Sequence, residues 1–354
     1  MNKHRSQFVV FVALLAALLL MVTSVGAAPK DGPVVSLSSA QSEFSASQEV
    51  LVAVSISNPT RHSVRILKWC TPSDGLEEPV FVVKVNGEAV AYTGAIYKRP
   101  AATGNDYLTL KAGESITYSV NLGDYYDLTA TGEYKIFYNA ASFYLYNEKG
   151  NGFFGADSLT SGSISLKVEG RAPKGKPTPP PPPPPGGNTF EACSVEQQAI
   201  LIDARGQAKS YASGAENYLL ANKLDLRYTT WFGVFNTTRY STVKTHFTAI
   251  SDAWDNAGVT FSCKCKQNYY AYVYPNSPYN IYLCRVFWMA PLAGTDSQGG
   301  TLIHEMSHFT VVASTDDYVY GQSGARSLAI SDPDKAINNA DNHEYFAENN
   351  PPLP

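Results

Sequence analysis

Beyond Val22 the 354-residue sequence has no apolar run long enough to cross a bilayer. It also has no surplus of positive charge: 27 Lys and Arg stand against 31 Asp and Glu, a net charge of −4. The first absence excludes a multi-span membrane protein, and the second a general nucleic-acid binder. Histidine is scarce, with six in the chain, and so is cysteine, with five. The single apolar run, Phe8 to Val22, follows Lys3, His4 and Arg5 and precedes the small residues Val25-Gly26-Ala27-Ala28. That order reads as a secretory signal peptide over residues 1–28, cut near Ala27 or Ala28, and it implies a secreted, extracellular protein with no stable membrane association once the peptide is removed.

Export places the cysteines in an oxidising compartment. Cys193, Cys263, Cys265 and Cys284 lie together in the C-terminal half, so two disulfides are expected there. Cys263 and Cys265 share one strand-like stretch, VTFSCKC, and a bridge between them would be cramped. Each therefore pairs with Cys193 or Cys284, in an order that the spacing leaves open. Cys70 is left over and reads as a buried free thiol.

With 44% hydrophobic residues the chain can bury more than one core. Residues 29–170 alternate between apolar and polar positions, in EVLVAVSISN, SVRILKW, FVVKVNGEAVAYTG, SITYSVNL, EYKIFYNA and GSISLKVEG. Asn86-Gly87 between two such runs is a hairpin signal. An all-β sandwich of immunoglobulin-like size is the expected fold. It contains no catalytic cluster, and His62 stands alone. Residues 171–188 form a linker whose unbroken prolines, Pro179 to Pro185, favour an extended polyproline spacer that is exposed and open to proteolysis. From 189 to 354 the period changes. SVEQQAILIDARGQAKSYASGAENYLLAN reads as a helix, with Ser194 and Gln197 as its capping box. TVKTHFTAISDAWDNA, SQGGTLIHEMSHFTVVA and NNADNHEYFAEN read as further helices, and VTFSCKC, YAYVYP and NIYLCRVFW as short strands. This region is α+β, mainly helical around a small strand cluster.

The third of these helices carries His304-Glu305-Met306-Ser307-His308. Residues four apart share a helix face, so both imidazoles can reach one ion, and neutral imidazole suits zinc. Glu305 can take a proton from water beside that ion. No third histidine with a preceding glycine follows, which excludes the metzincin pattern. A later glutamate, Glu344, lies far along the chain. Asp316 and Asp317 come just after the helix, and either can fold back as an oxygen ligand; spacing does not choose between them.

GTLIHEMSHF followed by STDDYVYG resembles the aspzincins, the deuterolysin-type zinc endopeptidases, and is closest to their peptidyl-Lys metalloendopeptidase branch. The family pattern is H-E-x-x-H with a downstream G-T-x-D-x-x-Y-G. The resemblance implies a zincin-like catalytic domain holding one Zn2+. Its ligands would be His304, His308 and Asp317, Glu305 the base, and Tyr320 a hydroxyl near the scissile carbonyl. Ser314 replaces the glycine of the family pattern, which suggests a less strained backbone there. The resemblance also implies the pairs Cys193–Cys263 and Cys265–Cys284. Asp341 and Glu344 lie three apart on the last helix and share a face. In the lysine-specific branch the matching acids line the pocket for the residue after the cut, so cleavage on the amino side of lysine is implied. From Asp296 onward nine acidic residues face only Arg326 and Lys335, which suits basic substrates. His343, between the pocket acids, reads as a surface residue. The expected partners are lysine-containing proteins or peptides and the chain's own N-terminal region, acting as a propeptide. Two alternatives carry less: a broad-specificity aspzincin, and a non-enzymatic β-sandwich binding or inhibitor protein.

Overall fold

The computed structural model describes residues 22–25, 32–100, 102–141, 145–147, 158–172 and 184–354. Most of the expected signal segment and positions 179–183 of the proline run lie outside the described residues.

The N-terminal region is strand-rich, as the alternation requires. One antiparallel sheet runs in the order Val22–Val25, Val34–Ser39, Leu51–Ser57, Ser115–Asn121. A second runs Glu43–Phe44, Ile164–Val168, Gly132–Ala141, Phe81–Val85, Glu88–Ala89, and a third joins Leu145–Asn147, Val64–Leu67 and Tyr107–Leu110. The period-two pattern sends every second residue inward: in Leu51–Ser57, Val52, Val54 and Ile56 are fully buried. Asn86 and Gly87 both take positive φ, 51° and 93°, the geometry of the expected two-residue hairpin. Cys70 is a buried free thiol.

The C-terminal region packs helices α1 (Val195–Leu220), α2 (Leu226–Phe232), α3 (Thr237–Asn256), α4 (Gln298–His308), α5 (Gly321–Ser331), α6 (Pro333–Ala336) and α7 (Ala340–Glu348) against a small mixed sheet. Ser194 caps α1, and Gln197 completes the capping box. Ala204, Ala208, Ala212 and Ala215 give α1 a thin inner stripe, and they join Trp231, Phe247, Trp254 and Phe346 in one core. Disulfides Cys193–Cys263 and Cys265–Cys284 tie the sheet to the start of α1 and close its loop.

The order of that sheet is Asn188–Glu191, Val259–Ser262, Asn280–Leu283, Ala271–Val273, Ile96–Lys98. Its fifth strand comes from the N-terminal region. Ile96–Lys98 leaves the β-rich part and adds antiparallel to the edge strand Ala271–Val273, pairing Lys98 with Ala271, Tyr97 with Tyr272 and Ile96 with Val273. The main-chain N–H of Tyr270 also donates to Lys98 O, at 3.0 Å. An edge strand offers a row of unpaired backbone groups, and an extended segment satisfies them.

Candidate active site

Helix α4 carries the motif and is buried along its length. Ser297 caps it, accepting from Gly300 N, while Glu348 of α7 accepts from both Ser297 N (2.9 Å) and Ser297 Oγ (2.7 Å). Gly300 is required here, because a Cβ would lie 2.0 Å from Glu348 Oε1. The helix stops at His308, and the chain folds back on its end. Thr315 N donates to Ser307 O, Ser307 Oγ lies 2.6 Å from Thr315 Oγ1, and His308 Nδ1 lies 2.8 Å from Thr315 O. Ser314 makes this turn with φ 52°. The backbone at this position is therefore the left-handed one that glycine adopts freely, not the less strained one expected of serine.

The turn brings Asp317 to the histidines. Asp317 Oδ1 lies 3.2 Å from His304 Nε2, and Oδ2 lies 3.6 Å from His308 Nε2; all three side chains are fully buried. Asp316 is placed elsewhere. Its backbone bridges to Asn339, and its carboxylate accepts from Tyr318 OH at 3.2 Å. His308 donates its Nδ1 hydrogen to the Thr315 carbonyl, which leaves Nε2 with a lone pair facing Asp317. His304 Nδ1 lies 2.8 Å from Asp341 Oδ1 and 3.4 Å from Glu344 Oε2. The groups that spacing could not identify are thus a backbone carbonyl that accepts from one imidazole and two carboxylates that lie beside the other.

These residues fit a cation. His304 Nε2, His308 Nε2, Asp317 Oδ1 and both Glu305 oxygens are buried without a hydrogen-bond partner. Native interiors seldom leave so many polar atoms unsatisfied together. Ligand atoms of His304, His308 and Asp317 lie within 4.8 Å of one another, and two nitrogens with one carboxylate oxygen match zinc. Burial opposes charge on Asp317, but the two imidazoles hold it well below the usual carboxylate range. Burial pushes Glu305 up to about 7, against the pull of His304 and His308. A carboxyl near neutrality suits proton transfer in both directions.

Beside the histidines lies an acidic pocket, and a lysine fills it. Lys98, 1% exposed, is in direct contact with Glu344 Oε2; its Nζ lies 3.6 Å from Asp341 and 3.7 Å from Asp296. The ammonium also sits 4.9 Å from the Tyr270 ring centroid. Burial would lower the Lys98 pKa, but the carboxylates outweigh it and raise it. Tyr320 OH lies 2.9 Å from the Tyr97 carbonyl oxygen and 3.1 Å from Asp317 Oδ2. The next residue, Arg99, is held by Glu78 and Glu77 and donates to Tyr320 OH at 2.8 Å.

His304, Glu305, His308, Asp317, Tyr320, Asp341 and Glu344 meet in this one place, and Asp316 does not. His343 departs from expectation. It is fully buried and stacks on Phe247, with Nε2 3.1 Å from His246 Nδ1, because α7 is covered on both sides and has no solvent face. Sequence reasoning missed Lys98, Arg99 and Glu78. Their one available signal was a basic pair, Lys98-Arg99, inside a β-rich region.

The helix, turn and buried donor set define a zinc-dependent endopeptidase. Residues 220–348 match the family described as Lysine-specific metallo-endopeptidase, an aspzincin family. An extracellular protease of Aeromonas hydrophila is 41% identical over 313 residues, 86% of this chain and 89% of that protein. A peptidyl-Lys metalloendopeptidase of Armillaria mellea is 34% identical over 351 residues, 95% of this chain and 97% of that protein. A zinc peptidase structure from Grifola frondosa is 50% identical, covering 45% of this chain and 99% of its own, with a TM-score of 0.44. The chain belongs to the aspzincin zinc metalloendopeptidases.

Proposed function

We propose that the protein is secreted as a latent proenzyme, that it cuts peptide bonds on the amino side of lysine, and that residues 29–170 are its propeptide. The observation carrying this reading is Lys98 in the pocket of Asp341, Glu344 and Asp296, with the carbonyl before it at Tyr320 OH. A peptide lying there in the same register presents its lysine to the acids and the preceding carbonyl to the tyrosine.

His304, His308 and Asp317 would hold the zinc ion, which supplies an acidic water and a Lewis-acidic contact for the carbonyl. Glu305 takes the proton of the attacking water and returns it to the leaving amine. Tyr320 donates to the carbonyl oxygen as negative charge grows on it. Asp341 keeps the His304 ring oriented and shares the lysine charge with Glu344. Edge strand Ala271–Val273 aligns the substrate backbone. Asn188–Glu191 pairs parallel with Val259–Ser262, so the mature chain retains it and the maturation cut falls upstream, in the linker. Residues 1–28 are removed on export as the signal peptide, and the N-terminal strands are an immunoglobulin-like sandwich.

A cleavage map tests it. The mature enzyme is incubated with a denatured protein beside Glu305→Ala and chelated controls, and new termini are read by mass spectrometry. New N-termini that are nearly all lysine, absent from both controls, are expected. Zinc-dependent cuts without a lysine preference would refute the role of Asp341 and Glu344 and favour a broad-specificity enzyme.

A further inference from the structure

The Tyr97–Lys98 peptide bond lies where a substrate bond would lie, against an intact catalytic set. Such a bond must either be cut at once or be protected. We propose that Arg99 and Glu78 form a latch that protects it, by occupying the Tyr320 hydroxyl and by holding both sides of the bond. This rests on the lysine-specific reading above.

A phenol has one hydrogen to donate. Around Tyr320 OH stand three acceptors: Tyr97 O at 2.9 Å, Glu78 Oε1 at 2.9 Å and Asp317 Oδ2 at 3.1 Å. Glu78 is a competitor that exists only while the N-terminal region is docked. Arg99 Nη1 bridges the arrangement, contacting Glu78 Oε1 and donating to Tyr320 OH at 2.8 Å and to Tyr97 O at 3.2 Å, so the carbonyl itself is tied into the same network. The hydroxyl is thus tied into a network with the propeptide, so it is not available to follow charge developing on Tyr97 O.

The second part of the latch is mechanical. Hydrolysis adds water across the bond: a C–O bond forms at Tyr97, the C–N bond breaks, and Lys98 becomes a free amine. Here the amine cannot leave. Lys98 is anchored in the acidic pocket, and its carbonyl accepts from Tyr270 N. Arg99 is fixed by Glu78, by Glu77 Oε2 at 3.2 Å and by Glu77 O at 3.1 Å; Tyr269 OH in turn holds Glu77 at 2.8 Å. Trp69 and Tyr269 flank the guanidinium at 5.1 and 5.2 Å. A product amine kept against its own acyl partner favours re-formation of the bond.

The test uses the full-length zinc-loaded chain and its Glu78→Ala/Arg99→Ala double variant, which leaves neither buried charge alone. Intact mass follows a new end at Lys98, with the same double variant carrying Glu305→Gln as control. Cutting of Tyr97–Lys98 should accelerate about 100-fold, the scale of restoring one oxyanion donor, and should vanish with Glu305→Gln. A free peptide of residues 91–103, given to the mature enzyme, needs no folded propeptide. It should be cut between Tyr97 and Lys98 at a rate within about tenfold of an unrelated lysyl peptide, a spread of roughly 1.4 kcal/mol. A refractory peptide would mean that the local sequence protects the bond, which overturns the latch. So would a double variant that stays uncut while its mature domain is active. A mature enzyme that cuts no lysyl peptide at all would instead overturn the functional reading, and the latch with it.

Discussion

Replacing Lys98 by methionine keeps the length and apolar body of the side chain but removes its charge. In the structure this ammonium lies against Glu344, Asp341 and Asp296, with 1% exposure for Lys98 and complete or nearly complete burial for Asp341 and Glu344. Removing one partner of a buried ion pair costs about 3–5 kcal/mol, because the remaining charge stays uncompensated. The lower end applies here: undocking lets water reach the pocket, and Asp341 has a second neighbour in His304 Nδ1, at 2.8 Å. A loss of about 3 kcal/mol at roughly 1.4 kcal/mol per decade raises the undocked fraction about 100-fold. The assay is the initial rate on a fluorogenic lysyl peptide, using full-length chains shown by mass to be uncut. Lys98→Met should turn over about 100-fold faster than the equally uncut parent, and the two mature domains should be identical. A Lys98→Met chain as latent as its parent would refute the idea that this lysine holds the propeptide in place.

Glu305→Gln should lower turnover by about 10³-fold or more while metal content, read by mass spectrometry of the metal, stays at one ion per chain. Asp317→Asn should lose the metal, whereas Asp316→Asn should keep it, since Asp316 faces Tyr318. Asp341→Asn should weaken metal affinity about 10- to 100-fold through His304 and also raise KM for lysyl peptides; an effect on KM alone would remove it from the histidine's support. Acid should unfold the domain through the His246–His343 pair. Burial lowers His246 to about 4 and His343 to about 3, so the native state binds fewer protons than the unfolded chain from about pH 6.5 downward. Stability then falls with falling pH across that window, by about 3 kcal/mol for one such histidine between pH 6.5 and 4. Denaturant titrations should show this slope reduced in His246→Gln.

Much of the site was legible in the chain because its signals are local. His304 and His308 share a face through helical period alone, and so do Asp341 and Glu344. Ser194 with Gln197 announced the start of α1, and Asn86-Gly87 a hairpin. Once the H-E-x-x-H pattern was joined to the downstream T-D-D-Y-V-Y-G stretch, the family was recognisable without coordinates. Tertiary structure decided what depends on direction or on distant segments. That Asp317 rather than Asp316 faces the histidines, which spacing left open and the family pattern implied, comes from a turn at Ser314, pinned by Thr315 on the end of α4. The burial of His343 came from packing against Phe247 and His246, which no single-helix pattern reports. The seating of Lys98 joins strands far apart in sequence, and no local period encodes that pairing. Sequence determined the chemistry because helix geometry fixes which side chains can act together. Only the folded chain decided what fills the pocket, because strand addition at a sheet edge uses backbone hydrogen bonds that any extended segment can make.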